Sequence, residues 1–79
     1  MSDGAEKTKE LVEFIAKAIV SDPDDVEVKV TEGGTMLELE TDDDDRGRVI
    51  GRQGRVAKAM RAVIAASTHG RGVRLEIVD

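Results

Sequence analysis

The chain has 79 residues, 39% of them apolar and 37% charged, with one aromatic residue, no cysteine and a net charge of −5. A chain this short makes one small domain that buries only about 60% of the surface its unfolded state exposes, which excludes a second domain and a deep multilayered active site. Without cysteine there are no disulfides or thiolate metal sites, and with Phe14 as the only aromatic there is no stacking platform for nucleic-acid bases.

Met1 to Gly4 show neither the basic nor the apolar segment of a secretion signal, and no apolar run nears the roughly 18 residues of a membrane helix. The expectation is a cytoplasmic protein with no membrane partner. The net charge hides a division. Residues 1–45 hold four lysines against fifteen acids, −11, and residues 46–79 hold eight bases against two acids, +6. A charge split of this size between halves points to an anionic partner for the basic half, set against the plainer reading of a charged, solubilising surface.

In chain order, Asp3 with Glu6 three residues on reads as a capping box. Leu11, Ile15, Ala18 and Ile19 then recur at helical spacing, widened by Val12 and Phe14, and predict an amphipathic helix of about four turns. Ser21-Asp22-Pro23 ends it, because the residue before proline is driven out of the helical region. Val26, Val28 and Val30 alternate with Glu27, Lys29 and Thr31, the period of a half-buried strand. Glu32-Gly33-Gly34-Thr35 is a turn, and Leu37 and Leu39 face the same core from the second strand of a hairpin.

Asp42-Asp43-Asp44-Asp45 lacks the spaced ligands and glycine of a calcium loop, and consecutive carboxylates point in different directions, so no metal is expected. The tetrad reads as a helix start, one Asp capping and the others favourable near the positive dipole end, with a short helix from about Asp44 to Ile50. Val56, Ala57, Met60, Val63 and Ile64 mark a second long helix, with Gly70 as its C-terminal cap, and Val73, Leu75 and Ile77 a final strand. The order α-β-β-α-α-β predicts an α+β fold with three strands in one sheet, covered by helices on one face. The domain is expected to span residues 1–79, with 1–7 as a flexible N-terminus.

Between the short and long helices lies Arg46-Gly47-Arg48-Val49-Ile50-Gly51-Arg52-Gln53-Gly54-Arg55, with three glycines and four arginines in ten residues. Glycine lets backbone and ligand approach closely, and the first free N–H groups of a helix starting at Gly54 or Arg55 suit an anion. A nucleotide-binding enzyme is disfavoured, since G-x-x-x-x-G-K-[ST] is missing and Gly47, Gly51 and Gly54 do not make G-x-G-x-x-G. His69, the only histidine, has Ser67 and Thr68 too close in sequence for a triad, so no catalytic residue and no cofactor are expected.

Val49-Ile50-Gly51-Arg52-Gln53-Gly54 between two helices resembles the V-I-G-x-x-G signature of the KH domain. The element order is similar to its bacterial type II form, and the run Gly47 to Ala59, the Asp22-Pro23-Asp24 break and the ending Ile77-Val78-Asp79 are similar to the small stand-alone KH proteins of bacteria, the KhpA-like group. Asp43 and Arg46 depart from that pattern, where proline and an apolar residue are common. The likeness covers roughly residues 8–79. It implies that about four nucleotides of single-stranded RNA or DNA lie against the loop. By position, Arg52 and Gln53 would present backbone amides and side chains to phosphates, Gly51 and Gly54 would permit close approach, Val49, Ile50 and Ala57 would help form an apolar groove for bases, with Leu39 as a wall, and Arg48, Arg55 and Lys58 would complete the RNA-binding set. It further implies RNA-chaperone or post-transcriptional regulatory work, and pairing as a homodimer or with a larger Jag-type KH protein. The alternative function is a protein-interaction or dimerisation module. For that module Ala57, Ala59, Ala62, Ala65 and Ala66 permit a close helix contact, unless they serve only as good helix formers.

Overall fold

The computed structural model describes residues 3–78. Three helices, α1 (Asp3–Ile19), α2 (Arg46–Ile50) and α3 (Arg55–Ala66), lie on one face of a sheet of β1 (Glu27–Thr31), β2 (Met36–Glu40) and β3 (Arg74–Ile77). The predicted order holds throughout. The capping box at Asp3 lies outside the described side chains, while residues 3–7, expected to be flexible, belong to α1, where Ala5 is buried.

β2 is the middle strand. It pairs antiparallel with β1, Val28 opposite Leu39 and Val30 opposite Leu37, through the turn at Glu32–Gly34. It pairs parallel with β3, Leu37 opposite Leu75 and Leu39 opposite Ile77. A parallel neighbour requires a crossover, and α2 and α3 supply it. Alternation puts Val28, Leu37, Leu39 and Leu75 under the helices and leaves Glu27, Lys29, Glu38 and Glu76 on the open face. Leu37, Leu39, Val12 and Val49 are fully buried, each contributing about 1.5–3 kcal/mol by leaving water.

The buried sector of α1 differs from the expected stripe. Thr8, Val12 and Ala16, four residues apart, face the core, whereas Leu11, Ile15 and Ile19 are half-buried on one flank, Ala18 is exposed and Phe14 is 74% exposed. Thr8 is a polar residue on that inner face. Its hydroxyl donates to the Gly4 carbonyl at 2.7 Å and to the His69 carbonyl at 3.0 Å, tying α1 to the loop after α3. Gly70 is not a left-handed cap as expected. It is buried against the end of α3, where an added Cβ would overlap the Ile64 carbonyl.

Candidate nucleic-acid interface

Asp42 caps the turn before α2, its carboxylate accepting the Asp44 N–H at 3.2 Å, and a tight turn at Asp43–Asp45 leads into the helix. Asp45, the last of the tetrad, turns inward instead of toward solvent. Its two oxygens accept the N–H groups of Ser21 and Asp22, both at 3.0 Å, so a buried carboxylate fastens the end of α1 to the start of α2. The Ser21 N–H, with that of Asp22 and the nearby Arg48 guanidinium, holds this carboxyl below the usual carboxylate range against the opposing effect of burial. Desolvation, reinforced by the negative charges of Asp42 and Asp45, pushes Asp22 the other way. The carboxylates of Asp22, Asp42 and Asp45 converge to within 4.8 Å of one another. The sequence reading overlooked this cluster because Asp22 comes from a different loop. Each oxygen of Asp45 accepts a backbone N–H from the loop that carries Asp22, and that folding contact brings the carboxylates together.

α2 ends when the Gly51 N–H reaches back to the Gly47 carbonyl at 2.8 Å. The chain then reverses through Gly51 (φ 80°), Gln53 (φ 56°) and Gly54 (φ 74°), three residues of positive φ in four, the last two in the left-handed well. Gln53 carries a Cβ in that region, which costs about 1–2 kcal/mol; backbone strain of this kind gathers at functional loops. The turn closes with the Gly54 N–H on the Gly51 carbonyl at 3.0 Å, and α3 begins at Arg55 with its dipole's positive end at the loop.

The two glycines have different reasons for being glycine. A Cβ on Gly51 would lie 2.5 Å from Val56 Cγ2 and 2.7 Å from its backbone nitrogen, so this position is filled by the protein itself. A Cβ on Gly54 would meet nothing within 4 Å beyond its own chain neighbours. Close approach by a ligand is therefore open at Gly54, and Gly51 serves the packing of the loop on α3.

Charge around the loop is also divided. Arg46 pairs with Asp43 at 2.6 Å and Arg48 with Asp45 at 3.4 Å, so the acidic tetrad neutralises two of the four arginines. Arg52, Arg55 and Lys58 are exposed with no carboxylate partner among the described residues, and Arg55 donates to the Gln53 side chain at 3.2 Å. Of the expected groove residues, Ile50 is 37% exposed, but Val49 and Leu39 are fully buried and Ala57 is 4% exposed. Those three are buried in the domain, and as placed they offer almost no surface to a base.

Arg48 leans elsewhere. With Ile15 and Ile19 of α1 and Val56, Ala59 and Val63 of α3 it lines an apolar groove of about 430 Å³ between the two long helices. Ala59, Ala62, Ala65 and Ala66 are all exposed, and of the five alanines only Ala57 faces the core. The periodicity of α3 could have revealed this groove, because Ala59 and Val63 fall four residues apart beside the buried Met60 and Ile64.

A helix, a hairpin and a helix-loop-helix crossover to a parallel strand, with G-x-x-G joining the helices, make this chain a KH domain of type II. The family model for the KhpA/KhpB KH domain matches residues 9–77, and the chain belongs to that family. Similar proteins include the RNA-binding protein KhpA of Halalkalibacterium halodurans, 52% identical over 90% of this chain and 99% of its own. That of Streptomyces coelicolor is 47% identical over 90% and 91%, and that of Mycobacterium leprae 43% over 86% and 86%. No solved structure matches.

Proposed function

We propose that the protein binds single-stranded RNA, with about four nucleotides held beside the loop Gly51 to Gly54, and that it serves as a bacterial RNA chaperone or post-transcriptional regulator in the cytoplasm. The supporting observation is the placement of Arg52, Arg55 and Lys58, exposed and without carboxylate partners among the described residues, around a glycine on which a Cβ would meet open space. A phosphate there meets cations that no acid among the described residues pairs with. The names of the relatives agree with this reading, which is one of binding without catalysis. The test is the double substitution Arg52→Asp with Gln53→Asp. Both side chains are exposed, so the helical circular dichroism should be unchanged while RNA binding is lost; binding equal to the parent's overturns the assignment.

A second reading rests on the groove between α1 and α3. Val63 is 46% exposed on its wall, and a small domain gains stability by covering such a surface. A second copy, or a larger Jag-type KH protein, is the occupant this family would supply. Sedimentation of the parent against Ala62→Phe and Val63→Glu distinguishes the cases, and a strictly monomeric parent counts against the homodimer.

A further inference from the structure

The open face of the sheet carries a charge pattern of its own. Glu27, Lys29, Glu38, Glu40, Arg74 and Glu76 share that face, because they alternate with the buried Val28, Leu37, Leu39 and Leu75. The strand register sets Glu27 directly opposite Glu40 and Glu38 directly opposite Glu76, where neighbouring side chains stand about 5 Å apart. Like charges so placed are destabilising. Arg74 is engaged by Glu32 at 3.0 Å, and among the described residues none of the other four glutamates has an ion-pair partner. With Lys29 opposite Glu38, the face holds four carboxylates against one ammonium.

Its complement is on the same chain. Arg52, Arg55 and Lys58 stand exposed around the loop, again with no carboxylate partner among the described residues. They belong to the helical layer, so the sheet itself stands between them and the glutamates. The shortest extent of the domain is 19 Å, more than twice the Debye length of about 8 Å at physiological ionic strength. One molecule therefore does not neutralise its own loop with its own sheet, whereas a second molecule can.

We infer that the open face of the sheet is a docking surface for the glycine loop of a second copy of this chain. The contact joins two unlike surfaces, so each molecule keeps a spare loop or a spare face, and copies add as an open chain unless the rotation between neighbours closes a ring. Pairing through the α1–α3 groove would instead join like surfaces and stop at two. Docking also covers Gly51 to Gly54. On the proposed reading of that loop as the RNA site, on which this step rests, RNA and the second copy compete for the same three cations. Self-association then shields idle loops from other anions until RNA displaces the glutamates, and salt weakens both contacts.

Sedimentation of the parent at about 20 and about 300 mM salt tests this. Mass should rise with protein concentration at low salt, and association should weaken about tenfold or more at the higher salt. Val63→Glu blocks the groove and should keep the salt-dependent part. Glu38→Gln with Glu76→Gln removes one like-charge pair, so it should melt no lower than the parent while losing the low-salt association. The Arg52→Asp, Gln53→Asp protein should lose it from the other side. Mixed together, these two should form a one-to-one complex and grow no further, since one keeps an intact loop and the other an intact face. Single-stranded RNA of about eight nucleotides should disperse the parent's assemblies. A sheet variant that associates as the parent does, or mixed variants that stay apart, would overturn the inference. So would a parent whose association is the same at both salts; if it is monomeric at both, the face is left to a cationic segment of another protein. RNA that binds while the assemblies persist also overturns it, because the loop is then not the contact. Failure of the RNA assignment looks different: the assemblies form and the two variants recombine, yet no RNA binds.

Discussion

Replacing each loop glycine by alanine separates internal packing from ligand access. Gly51 has φ 80° and ψ 167°, a region essentially reserved for glycine, and alanine there costs about 1–3 kcal/mol in backbone strain. Its Cβ would also press on Val56 at 2.5 and 2.7 Å, and overpacking against a backbone atom adds roughly 1–3 kcal/mol. Gly54 sits in the ordinary left-handed well at φ 74° and ψ 16° with open space around it. Alanine there costs about 1–2 kcal/mol, part of which is offset by a stiffer unfolded chain. A domain of 79 residues has roughly 4–12 kcal/mol of total stability. Each kcal/mol moves its melting midpoint by about 4–8 °C. Gly54→Ala should therefore melt roughly 5–10 °C below the parent and stay folded at room temperature, while Gly51→Ala should lose at least twice as much or fail to fold. Far-ultraviolet circular dichroism is the suitable probe, since the chain has no tryptophan or tyrosine. In the binding assay the folded Gly54→Ala protein should be several-fold weaker for RNA, its methyl group standing where the sugar-phosphate backbone would pass. Equal melting losses for the two variants, or a greater loss at Gly54, would refute the assignment of separate roles.

Two further expectations concern charge. Asp45 has a depressed folded pKa, so its stabilising contribution is present above its unfolded value near about 3.9 and is lost as the pH falls through the folded value. Asp22 is shifted upward, so its penalty acts above the raised value and is relieved as the pH falls toward the unfolded one. Melting midpoints across the acid range should accordingly show Asp22→Asn more stable than the parent at neutral pH, the advantage shrinking on acidification. Asp45→Asn should be less stable at neutral pH, with the gap closing only at the acid extreme. An Asp22→Asn difference that widens toward low pH would contradict the assignment. In the salt dependence of RNA affinity, Arg52→Gln and Lys58→Gln should each flatten the logarithmic slope by about 0.7, the value for one phosphate contact on a single strand. Arg46→Gln should leave the slope unchanged, because Arg46 is already paired with Asp43; equal slopes for all three variants would defeat the distinction between engaged and free cations.

The element order and the loop were legible because each rests on local pattern, the strands on their alternation and the loop on glycine spacing. Orientation was less so. Along α1 the apolar residues cover more than one sector, and the sequence favours Leu11, Ile15 and Ala18, yet the sector that meets the sheet is centred on Val12 and Ala16 and includes the polar Thr8. Periodicity shows that a face exists. Which part of it the sheet takes depends on the path of the other helices. The inward turn of Asp45 left no sequence trace either, since its partners are backbone N–H groups in another loop. The contact of Arg61 with the Leu75 carbonyl left no trace for a related reason, its acceptor being a main-chain group on β3. The groove residues Val49 and Ala57 were placed by analogy in contact with bases, whereas the packing of α2 and α3 turns both inward.

The parallel pairing of β2 with β3 also governs how the molecule must assemble. β1 and β2 meet across a four-residue turn and α2 and α3 across a tight loop, so each pair can form from neighbouring residues. Leu37 meets Leu75, and Thr8 meets the His69 carbonyl, only after the crossover has brought distant parts of the chain together. Contacts of such long sequence separation carry their loop-closure entropy before they return any stability, which slows folding relative to a helical bundle of this size. Until that step the inner face of β2 lacks one neighbour, and Leu37 and Leu39, the most deeply buried leucines, stay partly wet. The edge of β2 that later receives β3 is therefore the segment most exposed to wrong pairing in a newly made chain.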